Sequence, residues 1–394
     1  MDKSRKNKPK PVKVKEPLLR LSRRADFKWY QALLIRAGAI LAALVVCAVL
    51  IFAITKMNPL DVYGTMFKGT FGEKLFVKKS GLWTLNRTAW TTVRDVMTLL
   101  CISVGLAPAF KMRFWNCGAE GQVLVGGVAT AGIMIYFGNT MPTPLLFACM
   151  AGASLLAGAL WGLIPALFKA KWKTNETLFT LMMNYIAIQL TSYCVAIWEN
   201  PYGSNTVGVI NRDTKAGWLP NFFSSGANND FMWNLIIVSA VTIAMFIYLK
   251  KSKQGYEIAV VGESENTAKY AGINVKKVVI RTMLLSGAVC GLAGFIAVSG
   301  ASHTISTGTA GGRGFTAIIV AWLSKFNTFV MAAASFLIVF LETGANEIAS
   351  QYNFNTYASQ MVEGIILFFI IGCEFFIQYK VHFNWKRSRK EGAE

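Results

Sequence analysis

What this chain lacks narrows its chemistry first. Only 15% of its 394 residues are charged, well below the share a soluble domain usually carries. Two histidines, His303 and His382, are too few for paired-imidazole haem ligation within a membrane. The seven cysteines (Cys47, Cys101, Cys117, Cys149, Cys194, Cys290, Cys373) include no CxxC pair and lie in or beside apolar runs. They are expected as small packing residues, with neither disulfides nor a metal site. No GxxxxGK[ST] segment occurs, so if ATP drives the protein another subunit binds it. No carboxylate pair or Ser/His/Asp set stands out. The chain is therefore expected to be no enzyme and to carry no cofactor of its own. Acidic residues number 20 against 40 Lys and Arg, a net charge of +20. The basic tails flank apolar runs and should face anionic membrane lipid, so no nucleic-acid partner is expected.

What is present is hydrocarbon-length apolar sequence. Hydrophobic residues make up 54% and the mean hydropathy is +0.43. Runs able to cross about 30 Å of hydrocarbon recur. Ala37–Ile54 is the clearest, followed by Val93–Phe110, Cys117–Phe137, Pro144–Phe168, Leu178–Trp198, Phe231–Leu249, Val278–Ser299, Phe329–Gly344 and Met361–Tyr379. Phe315–Leu323 is too short for a full crossing at about 1.5 Å per residue. Both ends are rich in Lys and Arg, which by the positive-inside rule sets both termini in the cytoplasm and requires an even count. The expectation is an all-α, multi-pass protein of the cell membrane with about ten transmembrane helices. Residues 1–30 form a basic, disordered cytoplasmic tail, 31–379 the membrane domain and 380–394 a second basic cytoplasmic tail. The loops 56–90 and 199–230 fall outside and 250–277 inside.

The inner segment Lys250 to Lys277 is a polar, basic island between two spans. Gly262-Glu263-Ser264 reads as a turn, and Glu265 to Ala271 as about two helical turns stopped by Gly272. A membrane protein that presents such a helix to the cytoplasm is offering it to a soluble partner.

Polar residues inside apolar runs mark further candidates, because each costs a few kcal/mol unless it faces protein, water or ligand. The densest group runs from Phe114 to Gln122, with Asn116, Glu120 and Gln122 among glycines. Such a segment suits a broken helix beside a polar path. The alternative is close helix packing at the glycines, with Glu120 paired to a local donor. Asn184 lies within the fifth span. A second Gly-rich stretch, Gly308 to Phe315, also opens an apolar run, and the two stretches read as counterparts in an inverted repeat. Arg94 and Asp95, being adjacent, are expected to seek separate partners or the interface.

These residues resemble a family. Phe114-Trp115-Asn116-Cys117-Gly118-Ala119-Glu120-Gly121-Gln122 resembles the FN-I-GAEGQ signature of ATP-binding cassette (ABC) importer permeases for nucleosides and simple sugars. Lys173 to Glu176 with Met182 to Ala187 looks like that family's NEV and TIMLNYIA stretch. Ala259 to Glu265 with Tyr270 to Val275 is similar to its cytoplasmic coupling loop, and Ser286 to Gly294 with Gly314 to Ile318 to its SGALAGLAG and GFDGIAVA region. Order and spacing agree from about Val93 to Gly344. Thr316-Ala317 departs from the family's Asp-Gly, and the basic N-terminal tail lies outside the likeness.

The resemblance implies two permease chains (identical or homologous), two ABC ATPase subunits and an extracytoplasmic substrate-binding protein. It implies uptake of nucleosides, with purine nucleosides first, and ribose-like sugars or branched-chain amino acids as the alternative. An ATPase-independent channel is the reading from another class. Glu265, Asn266, Ala268, Lys269, Gly272 and Ile273 would form the ATPase-coupling helix. Asn116, Glu120, Gln122, Asn184 and Phe315 are candidates for the translocation path. Pro201, Gly203, Trp218 and Pro220, with Gly217 among them, would form the dock for the binding protein.

Overall fold

The computed structural model describes residues 19–23, 29–55, 58–79, 82–220, 231–351 and 379–383, with isolated positions between 361 and 377. The chain divides into two units, Met1–Pro59 with Met361–Glu394, and Leu60–Gln360. In the first unit, helix α1 (Trp29–Thr55) carries the first expected span. Strand β1 (Leu19–Arg23) pairs antiparallel with the strand Tyr379–Phe383, setting Leu19 opposite Phe383 and Leu21 opposite Val381. Residues 19–23 lie in the tail expected to be disordered, yet they alternate apolar and polar residues, the period of a strand. The remainder of both tails and most of the last expected span lie outside the described residues.

The second unit opens with α2 (Pro59–Phe71) and a hairpin of β2 (Phe76–Lys79) and β3 (Leu82–Leu85). The helices α3 (Arg87–Lys111), α4 (Ala119–Phe137), α5 (Thr143–Trp172), α6 (Glu176–Ile197) and α7 (Met232–Lys251) follow. Two short helices, α8 (Lys253–Glu263) and α9 (Glu265–Tyr270), lead to α10 (Val275–Ala297), which widens into a π-helical turn over Val298–Ser302. The unit closes with α11 (Arg313–Leu323) and α12 (Thr328–Gln351). Among the described residues, seven helices are long and apolar enough to cross a membrane: α3 to α7, α10 with its π turn, and α12. The eleven-residue α11 is the segment expected to fall short.

Most of α3 and α10 is buried, while α5, α6 and α7 each leave an apolar face exposed. Leu156, Leu160, Ile164, Met182, Ile186 and Tyr193 lie on that outer surface. Hydrocarbon solvates such side chains as well as protein does, so apolar burial alone cannot hold these helices together. Close backbone approach does. On α10, Gly287, Gly291 and Gly294 share a face; on α5, Ser154, Gly158 and Gly162 recur every four residues. A Cβ on Gly291 would overlap the carbonyl oxygen of Ser154, one on Gly287 that of Gly158, and one on Gly294 that of Val123 on α4. Only hydrogen fits at these crossings. Buried hydroxyls in the same spans bond their own helices: Thr130 donates to the Gly126 carbonyl at 2.9 Å and Thr191 to Ala187 at 2.8 Å.

The α10 crossing generates a prediction. Gly291→Val forces backbone apart and should cost at least the roughly 1–3 kcal/mol of an overpacked core. Gly152→Ala on the same α5 meets nothing within 4 Å and should be neutral. Thermal unfolding of the two detergent-purified variants checks this; equal midpoints would show that the crossing is not close.

Candidate functional site

Between α3 and α4 the helix is interrupted over 112–118, and the exposed backbone groups find side-chain partners. Asn184 on α6 accepts from the Gly121 N–H at 2.9 Å and donates to the Cys117 carbonyl at 2.9 Å. Thr180, one turn earlier, accepts from the Cys117 N–H at 3.1 Å. Asn116 accepts from the Gly118 N–H at 3.1 Å, donates to Ser286 on α10 at 3.2 Å and exchanges longer bonds with Gln122. Asn116, Gln122 and Asn184 are buried and bonded to one another's segments. Inside this chain they hold the break in shape.

Glu120 sits in the first turn of α4, and its carboxylate receives the N–H groups of Gly312 and Gly314 at 2.7 and 2.8 Å. Those are the first free donors of α11, so the carboxylate caps another helix's positive end. A Cβ at Gly314 would overlap the backbone nitrogen of Glu120, and Gly312 has the left-handed φ of +76°. Here the glycines permit contact between two helix N-termini. Beside them the Arg313 guanidinium lies 3.2 Å from Asp95 on α3 and 4.0 Å from Glu342 on α12. Asp95 also accepts from Arg94 at 2.8 Å. Arg94 and Asp95 do have separate partners, Phe231 under the Arg94 guanidinium at 5.4 Å and Arg313 beside Asp95, but the long arginine side chain also folds back over its neighbour. This four-residue ion cluster was not among the sequence candidates. Its members lie 218 residues apart or more between α3 and α11 or α12, and no local signal links them.

Phe315 is exposed on α11, and Trp322, seven residues on, shares its face. Trp322 stacks on Trp115 with centroids 5.2 Å apart and rings inclined by 21°. Phe110 packs edge-on against both. Trp115 and Trp322 are 43% and 46% exposed, which makes an open aromatic ledge of them.

On the loop between α7 and α10, α8 runs through Gly262 and Glu263 where a turn was expected. Gly262 is buried against the Lys111 carbonyl, so its missing side chain serves close approach rather than a bend. The chain breaks at Ser264, whose hydroxyl caps α9 by accepting from the Thr267 N–H. Ala268 is buried and Ile273 half-buried, whereas Glu265, Asn266, Lys269 and Gly272 are exposed. Gly272 takes φ +76°, and its N–H bonds the Lys269 carbonyl at 3.0 Å.

On the loop between α6 and α7, Pro201, Gly203 and Pro220 are exposed, and Tyr202 is 96% exposed. Trp218 is half-buried: its ring stacks on His303 at 3.9 Å and its Nε1 donates to the Ile210 carbonyl at 2.8 Å. Gly217 is buried beneath it with φ +84°. Residues 221–230 of the same expected loop lie outside the described residues.

The cap at Glu120 is testable. Glu120→Ala strands two backbone N–H groups, each at about 1–3 kcal/mol, and should lower the unfolding midpoint in detergent. Glu120→Gln, which keeps one acceptor, should fall between. Equal midpoints for all three would show that the bond to α11 carries no stability.

Comparison with known proteins fits this architecture. Residues 89–371 match the model of the family described as branched-chain amino acid transport system / permease component. The glucose ABC transporter permease protein TsgB13 of Haloferax volcanii is 28% identical over 88% of this chain and 89% of its own length. The guanosine ABC transporter permease protein NupP of Bacillus subtilis is 29% identical over 87% of this chain and 93% of its own. The nucleoside ABC transporter permease protein NupB of Lactococcus lactis is 26% identical over 69% of this chain and 75% of its own. A multi-pass apolar chain with no nucleotide-binding segment, matched by that model over most of its length, belongs to this family of ABC importer permeases.

Proposed function

We propose that this permease takes up nucleosides, purine nucleosides first, by alternating access driven by separate ATPase subunits. The observation that carries the substrate is that the relatives named for guanosine and for nucleosides align along most of this chain. The open Trp115–Trp322 ledge, with Phe315 on the same helix face, supports it, since an aromatic ring is a sequence-tolerant platform for a base. A sugar reading has its own support in the glucose permease relative, which aligns equally far.

The coupling contact in this reading is α9. Its charged and polar residues are exposed, its small Ala268 is packed inward, and Gly262 holds the preceding helix against the end of α3. A push on α9 would therefore reach a buried span. Both termini are cytoplasmic in this reading. The β1 pairing supports their lying on one side, since hydrogen-bonded strands cannot be divided by a bilayer. The Lys and Arg of both ends choose the side. The meeting of α4 and α11 N-termini at Glu120 supports the inverted repeat. A second permease chain would cover part of the apolar perimeter, and the extracytoplasmic binding protein would dock on the loop bearing Pro201, Gly203, Trp218 and Pro220.

Two measurements test this. Cells lacking this chain should lose uptake of labelled guanosine, and Trp322→Ala should raise the KM for it several-fold. Retained guanosine uptake with lost glucose uptake would favour the sugar reading. In the assembled complex, Glu265→Arg and Gly272→Ile should abolish substrate-stimulated ATP hydrolysis while the chain stays in the membrane. A β-branched residue at φ +76° is strained by about 1–2 kcal/mol even though nothing crowds the site. Undiminished stimulation in both variants would place the contact elsewhere.

A further inference from the structure

The helix α8 touches three spans, and the three contacts differ in kind. At its start, Ser252 accepts from the Gly255 N–H at 2.9 Å and donates to the Tyr248 carbonyl at 2.7 Å. The Tyr248 hydroxyl donates to Gln254 at 3.0 Å, so α8 turns tightly off α7. At its end, Gly262 rests against the Lys111 carbonyl of α3. In between, Glu257 receives the Arg281 guanidinium of α10 at 2.9 Å. Both side chains are mostly buried, 20% and 28% exposed. Arg281 lies six residues into the candidate span α10, roughly 9 Å from its start. A guanidinium placed there is costly unless paired, which marks the pair for a task beyond filling space.

The Gly262 contact can push α3 but not pull it, because a van der Waals contact gains little once atoms separate. A charge-assisted hydrogen bond resists separation as well as approach. The direct link from α9 to α10, residues 271–274, is the softer path. It is largely exposed, Gly272 has nothing within 4 Å, and its backbone is held by its own turn bonds. Further along, α10 lies backbone to backbone with α5 at Gly287 and Gly291 and with α4 at Gly294, so a displacement of α10 carries both. We propose that Glu257 and Arg281 are the positioning pair that transmits movement of α8 and α9 to α10 in both directions of the transport cycle. This rests on α9 being the ATPase contact, as proposed above.

The test uses the whole complex, purified with its ATPase subunits and binding protein and reconstituted in lipid, and reads guanosine-stimulated ATP hydrolysis. Glu257→Arg and Arg281→Glu should each lower the stimulation about ten-fold. The two together, which restore the pair with its charges exchanged, should recover at least half of it. Glu257→Gln keeps the shape and removes the charge; it should lower stimulation about three-fold and stays informative if a reversed charge prevents assembly. Glu176→Gln, which breaks the similarly buried pair with Lys169 between α5 and α6, should change nothing. Unchanged stimulation in Glu257→Gln would overturn the proposal. So would a double exchange no better than either single change, or an equal fall in Glu176→Gln, which would mark a general loss of fold. Failure of the coupling reading itself looks different: Glu265→Arg and Gly272→Ile would then keep full stimulation. A complex that answers to glucose instead of guanosine is tested in the same way with glucose.

Discussion

Backbone N–H and C=O groups buried away from water need partners, so a chain that interrupts its helices in a packed interior must supply them from elsewhere in itself. This permease interrupts the path between α3 and α4 and supplies them from α6 and the break itself. Asn184, Thr180 and Asn116 take up the donors of Cys117, Gly118 and Gly121, and Glu120 takes those of Gly312 and Gly314. Four elements distant in sequence are thereby fixed around one short run of residues. The glycine crossings of α10 with α4 and α5 follow from the same demand. Amides bonded within each helix leave the helices free to approach until backbone touches backbone.

This arrangement gives the polar residues of the signature two simultaneous tasks. Asn116 and Gln122 are completely enclosed, so a change at either disturbs the break before it disturbs any solute. The exposed side chains around the break are aromatic instead: Trp115, Phe315 and Trp322, carried on the broken segment and the half-length α11. In the proposed function the break is the rigid support and these rings are the π surface that meets the solute.

Much of this was readable from residues alone, and the reasons are physical. Apolar length located the spans, since crossing hydrocarbon sets a minimum run. Less was readable where one residue type serves two ends. Gly262 looks like a turn and is a contact; Arg94 and Asp95 look mutually indifferent and are paired. Trp218 looks like an exposed loop aromatic and is stacked on His303. Its partner lies 85 positions downstream, beyond the reach of any local pattern. The ion cluster of Asp95, Arg313 and Glu342 was hidden for the same reason.

The strand pair at the chain's two ends has a temporal consequence. Leu19 leaves the ribosome about 360 residues before Phe383, which at about 5–20 residues per second is a wait of roughly 20 to 70 seconds. During that interval every span is made and inserted while the leading strand has no neighbour. The clasp can therefore close only on a chain translated through its final strand.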